Sequence, residues 1–188
     1  MQGKVTSQAD GSAISGASIQ TNPVTSVVYS DQSGNFSING IAQGDYIVTA
    51  LKTDFQNHST APNIMMKDTS GNQIDLGKIK ADNILILFYA SWCPHCQVMI
   101  PKLAEYLKIH KRNNLKVLAI SLDTDRNAWI NFIRNNKLGW INISDLKGWS
   151  GKAASDYFIY ATPIMFLLDR DKKIIGKPTT ISELNKLF

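Results

Sequence analysis

The chain has 188 residues, 44% of them hydrophobic, and a net charge of +5. That length exceeds one small domain and lets two modules each bury a core. Its longest apolar runs are about six residues, far short of the roughly twenty needed to span a membrane. The positive balance has no nucleic-acid motif behind it.

Up to Met66 the chain is rich in Ser, Gly, Asn, Gln and Thr and shows no helical periodicity. Short alternating runs occur at Ala17-Ser18-Ile19-Gln20, Ser26-Val27-Val28-Tyr29, Asn35-Phe36-Ser37-Ile38 and Asp45-Tyr46-Ile47-Val48-Thr49-Ala50. Turn signals at Asp10-Gly11, Asp31-Gln32-Ser33-Gly34-Asn35 and Gln43-Gly44-Asp45 separate them, which predicts a small all-β sandwich over residues 1–65. Asp31 and Asp45 are read as turn residues, with calcium ligation the alternative. Met1-Gln2-Gly3 runs straight into the first strand-like stretch, so a leader or membrane tether is expected outside this sequence. Residues 1–67 hold three Lys against four Asp, and residues 68–188 hold seventeen Lys and Arg against eleven acids.

Farther on, Ile84-Leu85-Ile86-Leu87-Phe88-Tyr89 reads as a buried strand, and directly behind it comes Trp92-Cys93-Pro94-His95-Cys96 with both cysteines of the chain. A disulfide between cysteines three apart restrains the unfolded chain little, so the spacing suits chemistry better than bracing. Cys93 is expected at a helix N-terminus, where unpaired N–H groups and the helix dipole favour an anion and lower a thiol pKa. Pro94 suits the first helical turn, and His95 can bring a positive charge or a donor near the sulfur. Cys96, one turn on, is expected to be the more buried sulfur. Half a zinc site is the competing reading. Only His58, His95 and His110 remain to complete four ligands, and their spacing fits no finger pattern, so no metal is assigned.

Cys96, Ile100, Leu103 and Leu107 continue at helical spacing, with Pro101 inside. Lys108, Lys111, Arg112 and Lys116 crowd the far end, where positive charge complements the dipole. Residues 115–120 form the next apolar strand. Asp125 is a candidate cap for a helix burying Trp129, Phe132 and Ile133. A short strand over 140–143, a helical turn or two over 152–158, and a strand over 164–168 follow. The turn Asp169-Arg170-Asp171-Lys172 leads into its hairpin partner at 173–175, and a helix over 182–187 closes the chain. Strands alternating with helices predict an α/β domain with helices on both faces of a sheet.

The segment 66–188 resembles the thioredoxin fold, within it the TlpA/ResA-like branch. The resemblance rests on Phe88-Tyr89-Ala90-Ser91-Trp92-Cys93, Pro101, Thr162-Pro163, Phe166-Leu167-Leu168-Asp169 and an opening hairpin at Asp68-Thr69-Ser70-Gly71-Asn72-Gln73-Ile74. Residues 1–65 look like a carboxypeptidase regulatory-like module through Gly3-Lys4-Val5, Gly16-Ala17-Ser18-Ile19, Ser30-Asp31-Gln32-Ser33-Gly34-Asn35-Phe36 and Gly44-Asp45-Tyr46. The likeness implies that Cys93 attacks and Cys96 resolves, with Trp92 and His95 flanking the exposed sulfur. It implies a cis Pro163 facing the sulfurs and Thr162 offering backbone groups to an extended substrate.

Two departures stand out. Thioredoxin has a buried Asp where this chain has Leu87, and ResA-like reductases have a Glu where it has Met99. Losing a nearby negative charge eases thiol ionisation. Pro94-His95 is also the pair found between the cysteines of the periplasmic disulfide oxidase, whose potential lies about 150 mV above thioredoxin's. A potential more oxidising than thioredoxin's is therefore expected. The implied protein is a monomeric thiol–disulfide oxidoreductase of a bacterial periplasm or cell envelope, with no cofactor. It would act on protein thiols or disulfides and be recharged by a redox partner protein. The other reading is a non-catalytic binding or scaffold protein, with the thioredoxin-like surface and the sandwich docking a partner or glycan.

Overall fold

Turn chemistry and two-residue alternation shape the first part of the chain. In the computed structural model, all residues are described except 7–10, 15–16, 23–27, 41, 44, 46, 52–59 and 111–113. The predicted run over 26–29, the Gln43-Gly44-Asp45 turn and the basic cluster at Lys111 and Arg112 thus lie partly outside the described residues, as do Asp10 and His58. The chain divides into two compact units, Met1–Asp54 and Phe55–Phe188.

In the first unit, β1 (Gln2–Lys4) pairs antiparallel with β4 (Asn35–Ser37). β2 (Ser18–Asn22) pairs antiparallel with β3 (Val28–Tyr29) on one side and β5 (Ile47–Leu51) on the other. Ala17, Ile19 and Ile38 are fully buried. The Ser30 hydroxyl accepts from the Ala17 N–H at 2.9 Å and donates to the Ile14 carbonyl at 2.7 Å, which satisfies polar groups inside. Asp31 is a turn residue: its Oδ1 accepts the N–H groups of Ser33 and Asn35 at 2.9 and 2.8 Å. Gly34 follows at φ +79, and a Cβ there would meet the Val5 carbonyl oxygen at 2.4 Å. Only glycine fits.

The second unit opens with a hairpin of β6 (Met65–Lys67) and β7 (Gln73–Asp75). Its sheet runs β10 (Ile141–Ile143), β9 (Leu115–Ser121), β8 (Asn83–Tyr89), β11 (Ile164–Leu168), β12 (Ile174–Gly176). The first three strands are parallel and the last two antiparallel. Residues 84–89 are wholly buried, as a central strand requires, and their alternation serves both faces. On one face Tyr89 takes α2 (Arg126–Asn135): the Trp129 indole N–H donates to its hydroxyl at 3.0 Å, and Phe132 stacks at 5.6 Å. On the other, Phe88 meets Tyr157, just after α3 (Lys152–Asp156), at 5.2 Å. Tyr106 of α1 (Pro94–Ile109) donates to Asn185 of α4 (Ile181–Lys186) at 2.6 Å. Helices therefore cover both faces, as expected.

One difference concerns residues 60–66, which the sequence texture groups with the sandwich. Thr60 bridges to Lys173 beside β12, and Asp68 bridges to Ile143 of β10 at the opposite edge. Between them the Pro62 carbonyl accepts the Tyr157 hydroxyl at 2.7 Å, and Ala61, Ile64 and Met66 are buried. This segment crosses one face of the sheet and occupies both edges, where open backbone groups would otherwise invite foreign strands. A short extended crossing has no period, so residue pattern alone does not reveal it.

Candidate active site

Three loops at the carboxyl ends of β8, β9 and β10 converge, the position where open α/β sheets place their sites. The first is the turn from Ala90 to Trp92, which hands the chain to α1. Cys93 is the N-cap of that helix (φ −79°, ψ 117°), and Pro94 occupies the first turn, as the sequence predicts. The Cys96 N–H donates to the Cys93 sulfur at 3.4 Å, filling one of the open positions at the helix start. From the other side, the Cys93 S–H donates to the Thr162 carbonyl at 3.2 Å. Thr162-Pro163 is a cis peptide. Both cysteines are free thiols.

The two sulfurs differ in how readily they ionise. Burial opposes ionisation of Cys93, yet its pKa is lowered, because the Cys96 thiol, the Thr162 side chain and the N–H groups of Cys96 and His95 all favour the anion. Burial pushes the Cys96 thiol up to about 12, and the neighbouring Cys93 sulfur adds to the rise. A thiol eased toward its anion and a thiol held protonated thus stand one helical turn apart.

Several expectations are refined. Cys93 is only 5% exposed and Cys96 is fully buried, so the flanked sulfur is nearly covered, its thiol turned inward onto Thr162. His95 is exposed and reaches the sulfur through its backbone N–H. Thr162 serves Cys93 with its carbonyl and its side chain, beyond the backbone role the sequence suggests. Trp92 stands 53% exposed at the rim. Leu87 is buried and Met99 packs against the core, so neither position brings an acid. Among the described residues no three His, Cys, Asp or Glu side chains converge on a metal position.

Sequence reasoning passed over three neighbours. Asp123, just after β9 and 1% exposed, accepts the Ser91 N–H on both oxygens at 3.2 and 3.1 Å. The hydroxyls of Ser91 and Ser121 each donate to it at 2.6 Å. Gln97 of α1 donates to the Ser91 carbonyl at 2.8 Å. The turn before Cys93 is therefore held from both sides. Trp149, in a 3-10 turn after β10, tilts against Trp92 at 6.2 Å between ring centroids. An acid placed directly behind an apolar strand was the available signal for Asp123; Trp149 had none.

This strand order, with a helix starting at Cys-x-x-Cys beneath a cis-proline, is the thioredoxin fold. Residues 58–177 match the AhpC/TSA family and residues 1–77 the carboxypeptidase regulatory-like domain. A thiol-disulfide oxidoreductase ResA of Bacillus cereus is 28% identical over 128 residues, which are 68% of this chain and 72% of that one. The C-terminal domain assigned to a thiol-disulfide oxidoreductase of Bacteroides thetaiotaomicron is 32% identical, with a TM-score of 0.64 over 70% of this chain and 92% of that domain. A thiol-disulfide oxidoreductase from Bacteroides fragilis is 29% identical, with a TM-score of 0.61 over 68% of this chain and 96% of that one. The chain belongs to the AhpC/TSA family, as a thioredoxin-fold thiol–disulfide oxidoreductase carrying a carboxypeptidase regulatory-like domain at its N-terminus.

Proposed function

We propose that this chain exchanges disulfides with protein substrates outside the cytoplasm, using Cys93 and Cys96 as its redox pair. The observation that carries the reading is the placing of the two sulfurs at the start of α1: Cys93 caps the helix beside Thr162, and Cys96 lies buried one turn on, so that ionisation is eased at Cys93 and opposed at Cys96. The Cys93 thiolate attacks one sulfur of a substrate disulfide, forming a mixed disulfide and releasing the other sulfur as a thiolate. Cys96 then gives up its proton, attacks the Cys93 sulfur, and expels the second substrate thiolate. Two electrons pass to the substrate and the Cys93–Cys96 disulfide remains. A redox partner protein reduces it again; the reverse sequence oxidises a substrate dithiol.

Thr162 and Pro163 line the approach, and Trp92, Pro94 and His95 form the rim on which a substrate segment rests. Leu87 and Met99 leave the sulfurs without an acidic neighbour at those two positions, which favours the reduced form and a potential above thioredoxin's of about −270 mV. The unit from Phe55 onward carries the chemistry, and the module before it positions or tethers that unit in the cell envelope. The molecule acts as a monomer. Placement outside the cytoplasm follows the likeness to the TlpA/ResA-like branch.

Insulin reduction with dithiothreitol tests the reading. The parent should accelerate it and Cys93→Ser should abolish the effect; equal activity in the variant leaves the docking-protein reading standing. Equilibration with glutathione buffers tests the potential, and a value at or below thioredoxin's overturns that part. Cys96→Ser should accumulate mixed disulfides that identify the substrate.

A further inference from the structure

Trp149 is held out at the site by a loop whose every turn is tied down. The Ser144 hydroxyl donates to the Ser121 carbonyl at 3.0 Å and accepts the Leu146 N–H at 3.0 Å. Asp145 accepts the Lys147 N–H at 3.0 Å. Leu146 and Gly148 both take positive φ, +56 and +58. The N–H groups of Ser150 and Gly151 return to the carbonyls of Lys147 and Gly148 at 3.1 and 3.2 Å. Gly151 packs so closely on the Asp145 carboxylate that a Cβ would lie 2.8 Å from it. This anchored loop presents an indole that is 45% exposed.

Burying such a ring stabilises a fold, and here nearly half of the residue is left to solvent. Its ring contact is Trp92, tilted at 59° and itself half exposed. Trp92 precedes Cys93 directly, so the pair borders the Cys93 end of the helix. Two indoles fixed before the partner arrives cost little ordering on binding, and tryptophan is among the residues that dominate binding energy. A tilted pair of rings offers its faces to an apolar or aromatic side chain.

We infer that Trp149 is a specificity-determining residue, which together with Trp92 receives an apolar or aromatic side chain flanking the substrate cysteine. The inference rests on the disulfide-exchange reading above. The occupant is an extended segment of a substrate polypeptide.

The test is single-turnover reduction by the full, pre-reduced chain, which supplies its own two electrons. Three substrates are compared: a cyclic peptide disulfide with Phe beside one cysteine, the same peptide with Ser there, and the small non-aromatic disulfide bis(2-hydroxyethyl) disulfide. The parent should favour the Phe peptide about tenfold, the worth of one good apolar contact. Trp149→Ala should abolish that preference while leaving the Ser peptide and the small disulfide within about twofold. Trp149→Phe should retain most of it. A parent without preference, a Trp149→Ala variant that keeps it, or an equal loss on all three substrates overturns the inference. Persistence of all three rates in Cys93→Ser removes the exchange reading itself, and the two failures are thereby distinguished.

Discussion

Cys93 works as the cap of its own helix. Serine, threonine or aspartate usually fill that position because an oxygen accepts the open N–H groups; here a sulfur does so, and the same donors hold it as an anion. A lowered pKa means that thiolate is already present below the ordinary thiol value. Iodoacetamide labelling of the reduced chain, followed by mass spectrometry across pH, should show Cys93 reacting with an inflection below 9 and Cys96 staying unlabelled until pH approaches 12. A single inflection shared by both cysteines would contradict the split. A second residue is instructive for stability. Asp31, Asp68 and Asp169 each accept the N–H groups two and four residues ahead. The residue three ahead then takes positive φ: Gly34 and Gly71 do so freely, whereas Lys172 does so at φ +64. Relief of that strain should make Lys172→Gly more stable by about 0.5–1 kcal/mol. An unchanged or lower urea midpoint would refute it.

Elements meet at the site through Asp123. Its carboxylate joins the end of β9 to the turn between β8 and α1, so the start of the helix is held in relation to the neighbouring strand. Asp123→Ala takes the partner from the partly buried Ser91 N–H and hydroxyl and from the buried Ser121 hydroxyl. It should cost about 2–4 kcal/mol of stability and slow insulin reduction. Ser91→Ala removes one hydroxyl and keeps the backbone bond, so its cost should be nearer ~1 kcal/mol. Urea denaturation gives both numbers; a larger loss in Ser91→Ala than in Asp123→Ala would show that the carboxylate is not the anchor. Much of this element structure was legible beforehand. The strand 84–89, the helix face of Cys96, Ile100 and Leu103, and the Asp125 cap all depend on neighbours a turn apart or less. The stretch at residues 2–4 carries no strand signal of its own, because three residues without alternation only become strand when β4 pairs with them.

Among the described residues, the core cluster around the sheet is drawn from residues 61 onward, including Ala61 and Ile64, all within the second unit. A fragment over 55–188 should therefore unfold cooperatively and retain disulfide exchange on its own. A fragment over 66–188 loses the burial of Ala61 and Ile64 and leaves the Tyr157 hydroxyl without the Pro62 carbonyl. It should be less stable by about 3–5 kcal/mol. Equal denaturation midpoints for the two fragments would show that the crossing segment contributes nothing.

Local order was readable from residues alone. An apolar run, a Cys-x-x-Cys at the start of a helical period, and turn residues between alternating stretches each act over a few positions, where backbone geometry dictates the outcome. Long-range partnerships were not readable from residue pattern, and only the family resemblance brought Thr162 and Pro163 to the sulfurs. Cys93 meets the Thr162 carbonyl 69 residues away, Ser91 meets Asp123 at 32, and Tyr157 meets Pro62 at 95. Those meetings depend on which strand lies beside which, and strand order is settled only when the sheet closes and side chains compete for the same interior.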